Sequence, residues 1–235
     1  MGAFSGPTTA IQLMTTGSMN QPLDCIELGP ADAASACIWL HGLGADGNDF
    51  APLIPELRLP YVRFVLPHAP VRPITINGGM AMRGWYDILR MDIGSEADED
   101  AAGIDASRRE VERLIARERQ RGADKILLAG FSQGGAVVLH TGLRHDQPLA
   151  GILALSTYLP LAAGLETGKH AANQDIPIFQ AHGSHDPVIA VEHARASRDH
   201  LRQAGYAVDY REYPMAHAVA PEEIRDIAAF LKARL

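Results

Sequence analysis

The sequence has little cysteine and lacks a recognisable export signal. Its 235 residues include only Cys25 and Cys37, too few for the disulfide framework of a small secreted domain, which a chain of this length does not need. We therefore expect both side chains to be buried thiols. The first twenty residues contain no Lys or Arg and no continuous apolar run, so they do not match a signal peptide.

Runs of positive charge and long apolar runs are absent as well. The 21 Lys and Arg residues against 28 Asp and Glu residues give a net charge of −7. Binding to nucleic acids or anionic membranes relies on clustered positive charge, which this sequence does not contain. No segment approaches the ~18 apolar residues of a membrane-spanning helix. We therefore expect a cytoplasmic protein with no nucleic-acid partner and no stable membrane anchor.

What the sequence does contain is a regular alternation of two kinds of segment. Unbroken apolar segments are typical of strands in a parallel sheet that is covered on both faces. They alternate with segments of helical periodicity, which predicts a single three-layer α/β domain. We place this domain at residues 21–235 and treat residues 1–20 as an N-terminal extension of unassigned role. The predicted strands are residues 36–40, 62–66, 126–129, 151–155, 178–181 and 208–213, and the predicted helices are residues 96–121, 135–143, 192–204 and 221–234.

The loop after the predicted strand 126–129 carries a candidate nucleophile. Residues 130–135 read Gly-Phe-Ser-Gln-Gly-Gly, and chance predicts about 0.08 such G-x-S-x-G matches in a chain of this composition. A nucleophile elbow places its serine in a tight turn between a strand and a helix, where flanking glycines allow close backbone approach. The motif and its position therefore predict that Ser132 is the nucleophile of a hydrolase.

A serine hydroxyl needs a general base, and the base needs a carboxylate that orients it. The elbow predicts the chain order serine, acid, histidine. Asp186 follows the predicted strand 178–181, and His217 follows the predicted strand 208–213. Both residues therefore lie beyond the carboxyl ends of strands, where open α/β sheets bind their ligands. We predict that Ser132, Asp186 and His217 form a catalytic triad.

Two further histidines leave an alternative open. His182 and His185 flank Gly183 and precede Asp186, so these three side chains are candidate ligands of a metal-dependent hydrolase. A catalytic zinc site takes three protein ligands and a water, yet the sequence contains no further cluster of histidines or cysteines to complete a site. We therefore predict no metal and no other cofactor.

A tetrahedral intermediate also needs hydrogen-bond donors for its oxyanion. These donors are the backbone amide after the nucleophile and an amide in the loop after an early strand. The predicted strand 36–40 ends in a glycine-rich turn, His-Gly-Leu-Gly, at residues 41–44. Neither phosphate-binding fingerprint fits this turn, because G-x-G-x-x-G and a terminal Gly-Lys-Ser/Thr are both missing. We assign the amides of Leu43 and Gln133 as the oxyanion donors.

Taken together, the motifs resemble the carboxylesterase and acyl-protein thioesterase (lysophospholipase-like) family of α/β-hydrolases. The resemblance implies an α/β-hydrolase fold with a mostly parallel central sheet and helices on both faces, and it implies the same triad and oxyanion residues. Ala216 departs from the family pattern, which usually has glycine before the histidine, so its methyl group is expected to crowd the catalytic loop. The segments that carry the resemblance are residues 39–44, 66–70, 77–80, 85–87, 130–135, 182–183, 186–188 and 217.

The resemblance also implies an acyl-binding pocket. Its candidate walls are Trp85, Tyr158, Leu159, Leu161 and Met80. Large apolar and aromatic side chains also pack in hydrophobic cores, and for Trp85 core packing is an equal alternative.

The sequence therefore predicts a serine hydrolase that forms an acyl-enzyme on Ser132. We expect a carboxylesterase that acts on small esters or thioesters of short to medium acyl chains. Acyl-protein thioesterase or lysophospholipase activity is the alternative main function, and the metal-dependent hydrolase is the more distant one. Members of the family often form dimers, so the resemblance also admits a homodimer.

Overall fold

The structure is a computed structural model that describes residues 23–90 and 99–235. In these residues the main sheet has seven strands in the order β1-β3-β2-β6-β7-β8-β9, and a hairpin of β4 and β5 stands apart from it. All neighbours in the main sheet are parallel except β1, which pairs antiparallel with β3. The strands are β1 (Cys25–Leu28), β2 (Ser35–Leu40), β3 (Val62–Pro67), β4 (Val71–Ile74), β5 (Met80–Arg83), β6 (Lys125–Phe131), β7 (Gly151–Leu155), β8 (Ile178–Gly183) and β9 (Val208–Tyr213).

Helices connect most of the parallel strands. The α-helices are α1 (Ala101–Gln120), α2 (Gln133–Gly142), α3 (Leu165–Gly168), α4 (Val191–Gln203) and α5 (Pro221–Arg234). Short 3₁₀ helices occupy Ala51–Leu57, Thr75–Asn77, Ala162–Gly164 and Ala171–Asn173. No helix of the described ranges is both long enough and apolar enough to cross a membrane.

Strand β2 shows that the sheet is covered on both faces. Its successive side chains alternate between two hydrophobic clusters, with Ile38 and Leu40 in one and Cys37 and Trp39 in the other. The first cluster includes buried side chains of α1, α2 and α4, whereas the second includes side chains of α5 and of the 3₁₀ helix Ala51–Leu57. Alternate side chains of a strand point to opposite faces, so helices pack on both sides of the sheet. The predicted single α/β domain is confirmed.

The six predicted strands correspond to β2, β3, β6, β7, β8 and β9. The sequence analysis missed β1, whose side chains are half-buried or exposed, and it missed the hairpin of β4 and β5, which is largely exposed. Neither element is an unbroken apolar segment, because one face or both faces are solvated. Cys37 is buried as predicted, whereas Cys25 is only half-buried, and both thiols are free.

The predicted helices are present with shifted ends. The first of them begins at Ala101 and not near residue 96, because Asp100 caps α1 by accepting a hydrogen bond from the Gly103 amide (2.8 Å). Glu99 instead forms a bridge with Ile88. Helix α2 begins at Gln133, two residues earlier than predicted and directly after the candidate nucleophile Ser132. The predicted extension, residues 1–20, and the predicted helical residues 96–98 lie outside the described residues.

A buried ion pair joins the sheet to α1. The Nε atom of Arg63 in β3 lies 2.5 Å from a carboxylate oxygen of Glu118, and both side chains are almost fully buried. Arg63 also donates to the Ala31 carbonyl (2.7 Å). The second oxygen of Glu118 faces Arg117 and Arg121 at 3.0 and 3.2 Å. Because these bonds replace the water that both charges lose, removal of one partner leaves the other charge uncompensated.

Substitution of Glu118 with alanine should therefore destabilise the fold strongly. We expect the free energy of unfolding to fall by about 3–5 kcal/mol, measured by urea denaturation at neutral pH. Glu110→Ala is the matched control, since Glu110 forms a more exposed pair with Arg113 on the same helix and should contribute less than about 1 kcal/mol. Equal losses in the two variants would contradict the role given to the buried pair.

Candidate active site

Ser132 lies in a strained turn between β6 and α2. Its φ of 56° and ψ of −121° fall in a region that residues other than glycine rarely adopt, at a cost of roughly 1–3 kcal/mol. The neighbours explain why the turn is so tight. A Cβ atom on Gly130 would lie 2.4 Å from the Gly134 carbonyl oxygen, and one on Gly134 would lie 2.5 Å from the Leu40 carbonyl oxygen. The motif glycines are therefore needed for close backbone packing, as the sequence predicts.

Hydrogen bonds to the end of β7 and to the loop that follows it hold this strained turn in place. The amide of Ser132 donates to the Leu155 carbonyl at the end of β7 (2.8 Å). The hydroxyl of Thr157 donates to the Ser132 carbonyl (2.7 Å). The backbone of Ser132 is thus anchored on both sides of its Cα atom, and the residue as a whole is 9% exposed.

Asp186 and His217 form a hydrogen-bonded pair at the ends of β8 and β9. The Nδ1 atom of His217 lies 2.6 Å from Oδ2 of Asp186. The other carboxylate oxygen of Asp186 accepts the amides of Val188 (2.8 Å) and Ile189 (2.9 Å). Because a carboxylate accepts hydrogen bonds, the proton of the neutral imidazole is on Nδ1, and Nε2 remains available as a base.

The aromatic ring of Phe131 brings this pair next to the turn. Phe131 directly precedes Ser132, and the centroids of the Phe131 and His217 rings are 4.8 Å apart. Asp186 and His217 therefore lie near the turn that carries Ser132, although the three residues are separated by 54 and 31 positions in the sequence.

Ala216 does not crowd this loop. Its side chain is exposed, and the residue is not among those with a positive φ. The methyl group therefore extends into solvent without backbone strain, and the expectation of crowding is corrected.

The side chains of the two candidate oxyanion residues, Leu43 and Gln133, lie close together next to Gly84. Gln133 is the first residue of α2, and the first amides of a helix have no partner within the helix. A Cβ atom placed on Gly84 would lie 3.0 Å from Cδ1 of Leu43 and 3.6 Å from Oε1 of Gln133, so both side chains pack around the same point. The Gln133 side chain also accepts the Trp85 amide and donates to the Tyr86 carbonyl, both at 2.7 Å. This glutamine side chain thus fixes the segment that follows β5, a role that the sequence analysis missed.

The five candidate pocket residues differ in exposure. Trp85 is fully buried and donates its indole N–H to the His41 carbonyl (2.9 Å). It therefore packs in the hydrophobic core. Tyr158 and Leu159 are also buried, and the Tyr158 hydroxyl lies 3.0 Å from that of Tyr86. Leu161 is half-buried, whereas Met80 is 64% exposed. A pocket formed by these residues stays a prediction.

The candidate metal ligands are engaged elsewhere. His182 is buried, and its Nε2 atom lies 2.8 Å from the Ile189 carbonyl and 3.4 Å from Asp186. His185 is exposed, and its Nδ1 atom lies 3.3 Å from the Ser184 hydroxyl. Across residues 23–90 and 99–235, no three His, Cys, Asp or Glu side chains are grouped in a way that could hold a metal ion.

Comparison with known proteins decides the family. A profile of the Phospholipase/Carboxylesterase family matches residues 23–235. The chain belongs to this family. Members similar to it include acyl-protein thioesterase 1 of Mycosarcoma maydis, 42% identical over 213 residues that cover 83% of this chain and 88% of that protein. Acyl-protein thioesterase 1 of Neurospora crassa is 44% identical over 210 residues, which cover 84% of this chain and 86% of that protein.

A solved structure agrees with this family membership. The crystal structure of Zea mays acyl-protein thioesterase 2 has a TM-score of 0.76 and 28% identity, and the match covers 85% of this chain and 93% of that one. The α/β-hydrolase fold and the family resemblance inferred from the sequence are confirmed. As a family member, the protein is a serine hydrolase.

Glu223 is a buried acid in the first turn of α5, the helix that follows His217. One carboxylate oxygen accepts the Ala220 amide (3.2 Å), and the other has no hydrogen-bond partner in the part of the chain that the structure describes. Burial raises the pKa of Glu223 from 4.5 to about 7; the Ala220 amide opposes this rise, and the charge of Asp226 adds to it. The Glu223 carboxyl group thus binds its proton more tightly in the native state than in the unfolded chain.

This raised pKa predicts a pH-dependent stability. Glu223 makes its full contribution to the free energy of unfolding below about pH 4.5, and this contribution is lost as the pH rises to about 7. The loss is at most about 3 kcal/mol. We expect Glu223→Gln, which cannot ionise, to flatten the fall in the free energy of unfolding across this window, measured by urea denaturation. Glu222→Gln, at an exposed site in the same turn, should keep the wild-type slope. An unchanged slope in Glu223→Gln would refute the prediction.

Proposed function

We propose that the protein is a carboxylesterase that hydrolyses small carboxylic esters or thioesters of short to medium acyl chains. The observation that supports this proposal is the 2.6 Å pair of His217 and Asp186 next to the strained Ser132 turn. No cofactor is needed for this reaction, since the nucleophile, the base and the oxyanion donors are all protein groups.

In the proposed reaction, Nε2 of His217 takes the proton of the Ser132 hydroxyl while the serine oxygen attacks the ester carbonyl. The amides of Leu43 and Gln133 donate to the oxyanion, and Asp186 holds the imidazole in its Nδ1–H tautomer. The C–O or C–S bond of the substrate then breaks, and His217 returns the proton to the leaving alcohol or thiol. Water, deprotonated by His217, cleaves the acyl-enzyme and releases the acid.

The second candidate is acyl-protein thioesterase activity. It is favoured by the names of the relatives from Mycosarcoma maydis and Neurospora crassa, which are 42% and 44% identical to this chain. Lysophospholipase activity belongs to the same group, since the family description includes phospholipases. These activities use the same chemistry and differ in the group that leaves. We further propose a cytoplasmic location, a small acyl substrate as the main partner, and a homodimer as the form to test first.

Substitution of Ser132 with alanine tests the reaction class. Because the nucleophile is lost, we expect kcat on nitrophenyl acyl esters to fall by about 10⁴-fold or more, with the melting temperature nearly unchanged. Ser184→Ala is the matched control, since Ser184 lies in the loop before Asp186 and its hydroxyl contacts Nδ1 of His185 and donates to the Tyr213 carbonyl. Near-wild-type turnover by Ser132→Ala would refute the mechanism.

A chain-length series separates the two candidate functions. Nitrophenyl esters and matched S-acyl cysteine peptides, from acetyl to palmitoyl, are compared by kcat/KM. A carboxylesterase should favour the shorter oxyesters, whereas an acyl-protein thioesterase should favour the long-chain peptide thioesters. Preference for the palmitoyl peptide would contradict the carboxylesterase proposal and support acyl-protein thioesterase activity. Ser132→Ala should abolish either activity.

A further inference from the structure

His41 is a buried histidine that the proposed mechanism does not use. It follows β2 directly and precedes Gly42 and Leu43, and its exposed fraction is 1%. Both ring nitrogens have backbone partners. Nδ1 lies 2.7 Å from the Gly42 carbonyl oxygen, and Nε2 lies 3.0 Å from the amide nitrogen of Ala69, which follows β3.

These two partners determine where the imidazole proton is. The Ala69 amide can only donate, so Nε2 accepts its hydrogen bond and carries no proton. The proton is therefore on Nδ1, which donates to the Gly42 carbonyl. Burial lowers the pKa of His41, against the opposing effect of this carbonyl, so the ring stays neutral and keeps this tautomer.

The Gly42 carbonyl is one end of a rigid unit whose other end is the Leu43 amide. A peptide group is planar, and in the trans form its C=O and N–H bonds point in opposite directions; the described residues contain no cis peptide. A hydrogen bond that fixes the Gly42 carbonyl therefore also fixes the direction of the Leu43 N–H.

The loop is also held at its two ends and by a turn within it. The His41 carbonyl accepts the indole N–H of Trp85 (2.9 Å), and the Gly44 amide donates to the Arg83 carbonyl (2.8 Å). Neither bond restrains rotation of the peptide between Gly42 and Leu43. The Gly42 carbonyl itself accepts two hydrogen bonds, from Nδ1 of His41 (2.7 Å) and from the Ala45 amide (3.3 Å), and the shorter bond from the His41 ring is the stronger restraint on this peptide.

We propose that His41 is a positioning residue of the oxyanion hole, which directs the Leu43 amide toward the oxyanion by holding the Gly42 carbonyl. This proposal rests on the proposed function, in which the Leu43 amide is an oxyanion donor. A misdirected Leu43 amide stabilises the transition state less but does not change how tightly the ester binds. Loss of the bond from His41 should therefore lower kcat and leave KM nearly unchanged.

Two substitutions separate the two ring nitrogens. In His41→Asn the side-chain amide NH₂ takes the place of Nδ1 and keeps the bond to the Gly42 carbonyl. In His41→Gln the side-chain carbonyl takes the place of Nε2 and keeps only the bond from the Ala69 amide. We expect kcat of His41→Gln to fall roughly 10²-fold at an unchanged KM, and we expect His41→Asn to retain much more of it.

A second readout reports on the oxyanion directly. Alkyl trifluoromethyl ketones add to a catalytic serine and form a tetrahedral oxyanion, so their inhibition constant should rise in His41→Gln by the same factor by which kcat falls. His145→Gln controls for stability, because it removes a buried imidazole that follows α2 at the helix end remote from Ser132. Its melting temperature should fall while kcat remains at the wild-type level.

The outcomes distinguish this proposal from the proposed function. Wild-type kcat in His41→Gln, equal losses in both His41 variants, or a rise in KM in place of a fall in kcat would each overturn the positioning role. Full activity in Ser132→Ala would instead overturn the proposed function itself. If one His41 variant fails to fold, the ketone affinity of the other still decides, because the two variants have opposite expected results.

Discussion

The close approach of the β6–α2 turn to the end of β2 is the constraint on which the site depends. Gly134 lies so near the Leu40 carbonyl oxygen that a Cβ atom there would be 2.5 Å from it. This contact places Ser132 and the first amide of α2 beside the loop that carries Leu43. The bonds from the Ser132 amide to β7 and from Thr157 to the Ser132 carbonyl offset the strain of the turn. Substitution of Gly130 or Gly134 would therefore move the candidate nucleophile and the candidate oxyanion donors together.

Much of the fold and most of the candidate site could be predicted because their signals are local. Strands buried on both faces are continuous apolar segments, and the tight turn at Ser132 needs glycine neighbours. The remainder depends on contacts distant in sequence. Nothing local distinguishes a Trp85 that packs behind the loop of His41 from one that lines a pocket. The exposed hairpin of β4 and β5 and the edge strand β1 were missed because solvated strands lack an unbroken apolar run.

Two loops of the candidate site are each held by a buried histidine that hydrogen-bonds to a backbone carbonyl. In each, a buried histidine precedes a glycine at the carboxyl end of a strand, with His41 directly after β2 and His182 the penultimate residue of β8, and the ring bonds to a carbonyl of the adjoining loop. His41 bonds to the carbonyl of Gly42, and His182 bonds to that of Ile189, close to the carboxylate of Asp186. Burial lowers the pKa of both histidines, so both rings remain neutral. The residue type that suggested a metal site therefore acts as a fixed hydrogen-bonding group.

The strand order has a consequence for how activity is lost. In the described part of the chain, β9 is the edge strand next to β8, and it precedes the loop of His217 and the last helix. An edge strand opens at lower free energy than the centre of a sheet. Fraying of β9 would displace His217, the proposed base, while the turn of Ser132, held between β2 and β7, stays folded. We therefore expect mild heat to inactivate the protein by local opening before global unfolding, and amide exchange in β9 should report this opening first.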